Sequence, residues 1–450
     1  MTYENFRDLL FARAKAAGFS DYELYYNAGT SFSVRVFKGE IDEYKNTESV
    51  GINFRGTIDG KMGYAYSERM DESVIEPLLK NAASNARIIE EEEQEKLYPG
   101  DKEYPKMDSQ YNPKLDETSA AEKIAWALEM EKYAAGLDPR IKMINHCGIG
   151  NGESIMRIAN SHGLDLSHRS NMASAALVAL VEDVDGKVKN GYDYWNGRDF
   201  AEYDLQKIGR KAVDEALSYL GASSLESGAY PVILNNRMAC DLFGTFAGIF
   251  NAESAQKGFS LLGKSKIGET IAAPHITLRD DAYYPGSLGG IPFDSEGVAT
   301  QQKALIENGV LVNMLYNTKS AAKDGVKSTG NGFGRPLGTG RTHFYLVPGQ
   351  TSYDELLKKA GRAVLVTSMG GLHSGTNTVS GDFSVSAEGF LVEDGSIVRP
   401  LEQITVAGNF YQVLKNIDVV GSDLRFPHPG GSGGTGMPSL LVHGLAISGL

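Results

Sequence analysis

Two carboxylates, Asp294 and Glu296, stand two residues apart in the string PFDSEGV at 292–298. A close acidic pair can divide acid and base work between its members or hold a cation, but no histidine lies near this one in the sequence. The chain has eight histidines, and none of them falls as HxxxH, HExxH or HExxxH, the helical spacings that bring two imidazoles to one metal. The densest set is SHGLDLSH at 161–168, with His162, Asp165 and His168. Strand alternation sends Asp165 to the face opposite the two histidines and no fourth donor is close, so a turn and strand with surface imidazoles is expected. An autonomous hydrolase centred on His162 and His168 stays as an alternative. His343 in RTHFYL and His373 in GGLHSG have no evident Asp or nucleophile partner and are expected to be structural or to touch a peptide.

Other strings share less with chemistry. The glycines of 338–341 and 430–436 are not followed by the Lys-Ser/Thr of a phosphate-binding loop, so both read as flexible loops. Cys147 and Cys240 are far apart in apolar surroundings, as expected of buried thiols rather than a disulfide.

The elements that would position these residues read as an α+β chain. A helix is expected at 3–17, ended by Gly18, followed by strands at 23–26, 31–37, 40–45, 51–55 and 61–67 with turns at Lys38-Gly39 and Asp59-Gly60. A long helix at 72–96 carries an acidic run at 90–93, expected to be a solvated face. The middle segment predicts a helix at 118–135, strands around 141–149, 154–160 and 172–182, and a helix at 204–219. Further on, YPVILN at 230–235 reads as a buried strand and 237–251 as a helix. ALIENGVLVNML at 304–315 predicts a hairpin turning at Asn308-Gly309, with a short helix over 317–323. FLVEDGSIVRPL at 390–401 repeats that hairpin pattern with Asp394-Gly395, an echo that can mark duplicated strands of one large sheet. Three units follow: an N-terminal α+β domain at 1–110, a middle α/β segment at 111–222 and a β-rich domain of antiparallel hairpins at 223–450.

With 42% hydrophobic and 22% charged residues the chain can bury a sizeable core. Its net charge of −13 opposes direct binding to duplex DNA, which needs a basic surface. The first residues read as an amphipathic helix rather than a leader, and no run of eighteen apolar residues occurs. A soluble, cytoplasmic protein with no membrane contact is expected.

PFDSEGV, the ENG hairpin, KSTG at 327–330, GDFS at 381–384 and ITVAGN at 404–409 occur in an order that resembles the TldD/PmbA family. In that family one subunit type, TldD, resembles a metalloprotease with HExxxH on a helix. The other, PmbA or TldE, lacks the motif. Helix 237–251 occupies the place of that motif, and matching Leu242 to the apolar residue before it sets Phe243 at the first His, Gly244 at the Glu and Gly248 at the second His. Ser432 falls where the TldD type carries a late cysteine. None of these side chains binds a metal well or moves a proton.

The resemblance therefore implies a PmbA/TldE-like subunit with no metal or cofactor of its own, the divalent metal, zinc by family expectation, belonging to a TldD-type partner. It implies a heterodimer with that partner, or a homodimer, and an extended peptide as substrate, with Gly297, Asn317, Ser328 and Thr329 on the groove side. The family's older description as a modulator of DNA gyrase finds no support in the charge. A self-associating peptide-binding protein without a catalytic partner is the second alternative.

Overall fold

A computed structural model of the chain describes residues 1–88, 96–427 and 433–449. Helix α1 (Tyr3–Ala16) starts where the Thr2 hydroxyl accepts the Asn5 N–H, and it buries Tyr3, Phe6, Leu10 and Ala14, one stripe at three- and four-residue spacing. The next strands are longer than the sequence suggests: β1 (Asp21–Phe37) and β2 (Glu40–Ile58) each absorb two expected strands, and β3 (Lys61–Ser67) follows. Both connecting turns hold positive φ at two successive residues, 54° and 79° at Lys38-Gly39 and 51° and 77° at Asp59-Gly60, the twist that suits a two-residue hairpin. A 3-10 turn (Glu72–Val74) leads into α2 (Ile75–Ile88), and the acidic run 90–93 lies outside the described residues.

The middle segment contributes α3 (Ala120–Ala135), opened by a Ser119–Glu122 capping box, then β4 (Ile141–Asn160), β5 (Asp165–Glu182), β6 (Val188–Gly197) and α4 (Leu205–Ser218). The two strands expected at 141–160 are one. The glycines between them carry no Cβ to hold β1 away: a Cβ on Gly150 or Gly152 would lie 2.9 Å from the Phe32 or Thr30 carbonyl oxygen. β6 is not among the strands expected from the sequence; a Cβ on Gly191 would lie 2.3 Å from the Ala212 carbonyl oxygen, so this glycine lets α4 lie on the strand.

These six strands form one sheet in the order β3-β2-β1-β4-β5-β6, joined across segments 1–110 and 111–222 by β1–β4 pairing from Glu23↔Asn160 to Arg35↔Gly148. Leu24, Val34 and Val36 of β1 project to the face that carries the helices. There Phe6, Leu24, Phe54 and Leu78 make one core, and Val34, Met130, Leu177 and Ala212 a second. On the opposite face, Met156 and Ile158 of β4 pack with Ile291 and Phe293 of the C-terminal unit.

That unit begins with β7 (Gly228–Leu234) and α5 (Asn236–Phe246). A five-stranded sheet takes β8 (Leu278–Asp281), β9 (Gln302–Glu307), β10 (Val310–Leu311), β11 (His343–Leu346) and, later in the chain, a strand at Thr435–Gly436. Helix α6 (Thr318–Asp324) follows β10. The second sheet is built from β7, β12 (Ala363–Gly370), β13 (Asp382–Glu393), β14 (Ser396–Asn409), β15 (Ile417–Val420) and β17 (Leu440–Ser448), the Thr435–Gly436 strand being β16. Its strands run β14-β13-β12-β7-β17, and β17 pairs back onto β14 through Thr405↔Ser448 and Ala407↔Ala446, which closes the ring. Both expected hairpins form with positive φ at Asn308-Gly309 and Asp394-Gly395. They lie in different sheets, so the echo marks a shared turn chemistry rather than duplicated strands of one sheet. The architecture is α+β, with strands dominating the C-terminal unit. Among the described residues no helix is long and apolar enough to cross a membrane.

Candidate functional site

Strand β7 delivers the chain to α5, whose first turn is capped by Asn235: its Oδ1 accepts the Met238 N–H at 2.8 Å. The helix buries Ala239, Leu242, Phe243 and Phe246 toward the core of the C-terminal unit. Phe243 meets Phe410 edge-on at 5.1 Å between ring centroids, and Phe246 stacks on the same ring at 4.6 Å and 8°. Both side chains are fully buried, each worth about 1.5–3 kcal/mol of apolar burial with an aromatic pair contribution besides.

The other side of α5 borders a cleft of about 650 Å³, onto which Cys240, Asp241, Gly244 and Thr245 open, facing Arg341, Thr342 and Thr435. A Cβ on Gly244 would stand 3.5 Å from Thr435 Oγ1 and 3.9 Å from an Arg341 nitrogen. The α-helix ends at Phe246 and tightens into a 3-10 turn (Ala247–Phe250), which leaves Gly248 exposed with nothing within 4 Å of a Cβ built there. The three positions matched to a metal motif thus point three ways: Phe243 into the core, Gly244 into the cleft, Gly248 outward. The residues that share the cleft face are Cys240, Asp241, Gly244 and Thr245, at the spacing of one face of a regular α-helix.

The donor set of the cleft does not suit a metal. The Cys240 sulfur accepts the Met437 N–H at 3.1 Å and its S–H points to the Arg425 carbonyl oxygen at 3.5 Å. Burial pushes this thiol well above its usual range, which disfavours the thiolate a metal needs. No imidazole stands on α5, and among the described residues no three His, Cys, Asp or Glu side chains converge. Residues 428–432, which include Ser432, lie outside the described residues.

The other expected residues are occupied elsewhere. Asp294 accepts the N–H groups of Glu296, Val298 and Gly332 at 2.8–3.0 Å, stapling its own loop. Burial and the Glu296 charge push its carboxyl up, against the pull of those three donors. Glu296 accepts the N–H and hydroxyl of Thr318 at the start of α6. The four residues expected in a peptide groove are part of the same framework. Gly297 sits at φ 84°, its carbonyl accepts the Tyr104 hydroxyl at 2.7 Å, and a Cβ there would meet Leu164 at 2.5 Å. Asn317 caps α6, Ser328 donates to the Tyr316 carbonyl at 3.1 Å, and Thr329 accepts the Tyr316 N–H at 2.8 Å. None of the four lines the α5 cleft.

The histidine alternatives are separated as well. His162 lies in the turn after β4, 2.9 Å from Asp21, Asp165 pairs with Arg7, and His168 stands further along β5. His343 is buried on β11, where its Nδ1 lies 2.9 Å from the Asp281 carbonyl oxygen and burial lowers its pKa, while His373 is exposed in a turn. Gly338–Thr339 is a short strand rather than a loop open to a phosphate. Both cysteines are buried and free.

Three family models cover most of the chain: the PmbA/TldA metallopeptidase domain 1 matches residues 22–86, the central domain 113–220 and the C-terminal domain 227–449. The chain belongs to the PmbA/TldD metallopeptidase family. Metalloprotease PmbA of Escherichia coli O157:H7 is 30% identical over 420 residues, 91% of this chain and 89% of the relative. A metalloprotease TldD homolog of Buchnera aphidicola subsp. Acyrthosiphon pisum is 26% identical over 464 residues, 95% and 93% of the two chains. Among solved structures, a Thermotoga maritima protein whose description links it to modulation of a DNA gyrase superposes with a TM-score of 0.91 at 33% identity, over 99% of this chain and 100% of that one. TldE from Thermococcus kodakarensis shares the fold, with a TM-score of 0.89 at 24% identity over 99% and 100%.

Proposed function

We propose that this PmbA/TldD-family chain is the PmbA/TldE-type subunit of a two-subunit metalloprotease, non-catalytic itself, which helps to enclose an extended peptide for a TldD-type partner that carries the metal. The observation that carries this reading is α5. At the family's place for metal ligands it presents Phe243 to the core and Gly244 to the cleft, and it offers no histidine in any register. A hydrolytic metal site needs a ligand set to hold the ion, and among the described residues the cleft has no such set. What a subunit without that chemistry offers is a wall: an extended peptide can be held by main-chain hydrogen bonds with little demand on its sequence.

The test is reconstitution. The purified chain alone should hydrolyse no unfolded peptide and hold no stoichiometric zinc. Mixed with a TldD-type subunit, it should form a one-to-one heterodimer whose peptidase rate exceeds that of the TldD-type subunit alone. Activity with bound metal in the isolated chain would overturn the reading, and a stable homodimer that ignores the TldD-type subunit would favour a stand-alone peptide-binding protein.

A further inference from the structure

One segment of the C-terminal unit touches both the α5 cleft and the first sheet. Gly332–Phe333 pairs with Gly338–Thr339 as a short antiparallel hairpin, and its legs continue into Asn331 on one side and 340–342 on the other. At the base, the buried Asp280 of β8 holds both legs. Its Oδ1 accepts the Asn331 side-chain amide at 3.1 Å and the Thr342 hydroxyl at 2.9 Å, and its Oδ2 accepts the Thr342 N–H at 2.7 Å. Lys303 of β9 pairs with the same carboxylate at 2.8 Å, and Asp294 accepts the Gly332 N–H at 2.8 Å. Asp280, Asn331 and Thr342 are fully buried, so the base is fixed to the five-stranded sheet.

The tip of the hairpin, residues 334–337, is held by the other half of the chain. It leans over the first sheet at a groove of about 1160 Å³ that Glu23, Tyr25 and Arg335 line. Arg335 donates to Glu23 at 3.1 Å and to the Ser295 carbonyl at 2.8 Å, and its guanidinium covers the Tyr25 ring at 4.3 Å. Glu23 is itself set in place by two hydrogen bonds from Arg55 of β2, at 2.7 and 3.1 Å. The carboxylate is therefore a fixed post of the first sheet, and its hold on Arg335 is a charge-assisted bond.

Between base and tip the segment is one wall of the α5 cleft, through Phe333, Gly340, Arg341 and Thr342. A Cβ on Gly340 would lie 2.8 Å from the Phe333 ring, so the ring rests against the opposite leg and the two legs move as one body. Asn251 adds a hydrogen bond to the Thr339 carbonyl at 3.0 Å. Across the cleft, an Arg341 nitrogen stands 3.9 Å from a Cβ built on Gly244.

We infer that residues 332–341 form a flap on the α5 cleft, hinged at Asp280 and latched to the first sheet through Arg335 and Glu23. Hinged elements turn about a few residues at their ends, and lids that close on a site are built this way. The latch belongs to the other half of the molecule, so the opening of the cleft depends on how the two halves are docked. Whatever binds against Phe333 and Arg341 shares its binding energy with the latch. The inference stands apart from the subunit reading, since it concerns the wall of the cleft and not the chemistry inside.

The test places a thiol in the cleft of the full chain by Gly244→Cys and times its reaction with a maleimide, Cys147 and Cys240 being buried. Adding Arg335→Gln, which leaves the Glu23–Arg55 pair in place, should speed labelling roughly tenfold, the value of one charge-assisted hydrogen bond. Arg335→Lys keeps a cation for Glu23 and should bring the rate most of the way back. Glu402→Gln breaks a contact with Lys187 and Lys189 that no flap residue shares, and it should leave the rate within about twofold. In hydrogen exchange the Thr342 amide should stay protected in Arg335→Gln, as a hinge requires. An unchanged rate in Arg335→Gln, or a rate as high with Lys as with Gln, overturns the latch. An equal rise with Glu402→Gln, or lost protection at Thr342, also overturns it, since either means general loosening rather than a hinged opening. The subunit reading is decided separately, by hydrolysis with the TldD-type partner.

Discussion

The two clefts of this molecule have opposite make-ups. On α5 the chain has a phenylalanine turned into the core and a glycine, Gly244, facing the cleft. On the first sheet, where no motif drew notice, it keeps a buried carboxylate between two arginines. Apolar residues at the first location strengthen packing. Charges at the second cost desolvation that packing does not return. The contrast teaches where to look for recognition: at the polar groups a fold retains against its own stability, rather than at well-packed apolar positions.

The largest effects should come from breaking each cleft at its centre. Glu23→Gln leaves two buried arginines facing each other and should cost about 3–5 kcal/mol, read from denaturant unfolding. Phe243→Ala removes a ring from the Phe243–Phe410–Phe246 cluster and should cost a similar 3–5 kcal/mol, with Cys240 remaining unreactive to thiol reagents in the folded protein. If Phe243→Ala cost less than about 1 kcal/mol, the α5 face would not be core, and the contrast would collapse.

A smaller effect concerns the joint between the two halves. Lys187, just before β6, and Lys189 on it reach Glu402 of β14 at 2.7 and 2.5 Å. Burial opposes the charge on Glu402, but hydrogen bonds from both lysines outweigh it and hold the carboxyl below its usual range. A carboxyl lowered in the folded state lends stability above its unfolded pKa and loses it as pH falls through the folded value. Glu402→Gln should therefore lower the unfolding free energy by about 1–3 kcal/mol at neutral pH. The gap from the unsubstituted chain should close as pH drops below about 4, as thermal melts across pH 3–7 would record. A gap that widened on acidification would place the stabilising charge elsewhere.

The smallest effect has the opposite sign. Gly244 lies in the last turn of α5 at ordinary φ, and a methyl there meets only contacts at 3.5 Å and beyond. Gly244→Ala should stabilise the chain by about 0.5–1 kcal/mol, seen as a raised melting temperature. Loss of stability instead would mean that the α5 cleft is closed more tightly than its walls suggest.

Much of the fold was readable wherever the signal was local. Lys38-Gly39, Asp59-Gly60, Asn308-Gly309 and Asp394-Gly395 all turn hairpins as their dipeptides require, and Ser119 with Glu122 marks the start of α3. Pairings that span distant parts of the chain were not readable: β1 lies against β4 more than a hundred residues on, and Arg335 finds Glu23 across 312 positions. No local pattern encodes such a meeting. The site was half legible. The missing histidines of α5 are a fact of composition, and Cys240, Asp241, Gly244 and Thr245 share the cleft by ordinary helical spacing, whereas the tightening after Phe246 that leaves Gly248 exposed has no local signal.

The ring closed by β17 has a consequence for synthesis. This strand lies between β7 and β15 and also bonds β14, so three partners made earlier wait for residues 440–448. Until that segment leaves the ribosome, β7 and β14 each carry an open edge able to pair with another chain. The first sheet is complete some 240 residues earlier, with β6 ending at Gly197. A nascent chain therefore carries a finished N-terminal half and an unsealed C-terminal one for most of its translation, and chaperone demand should be concentrated in that interval.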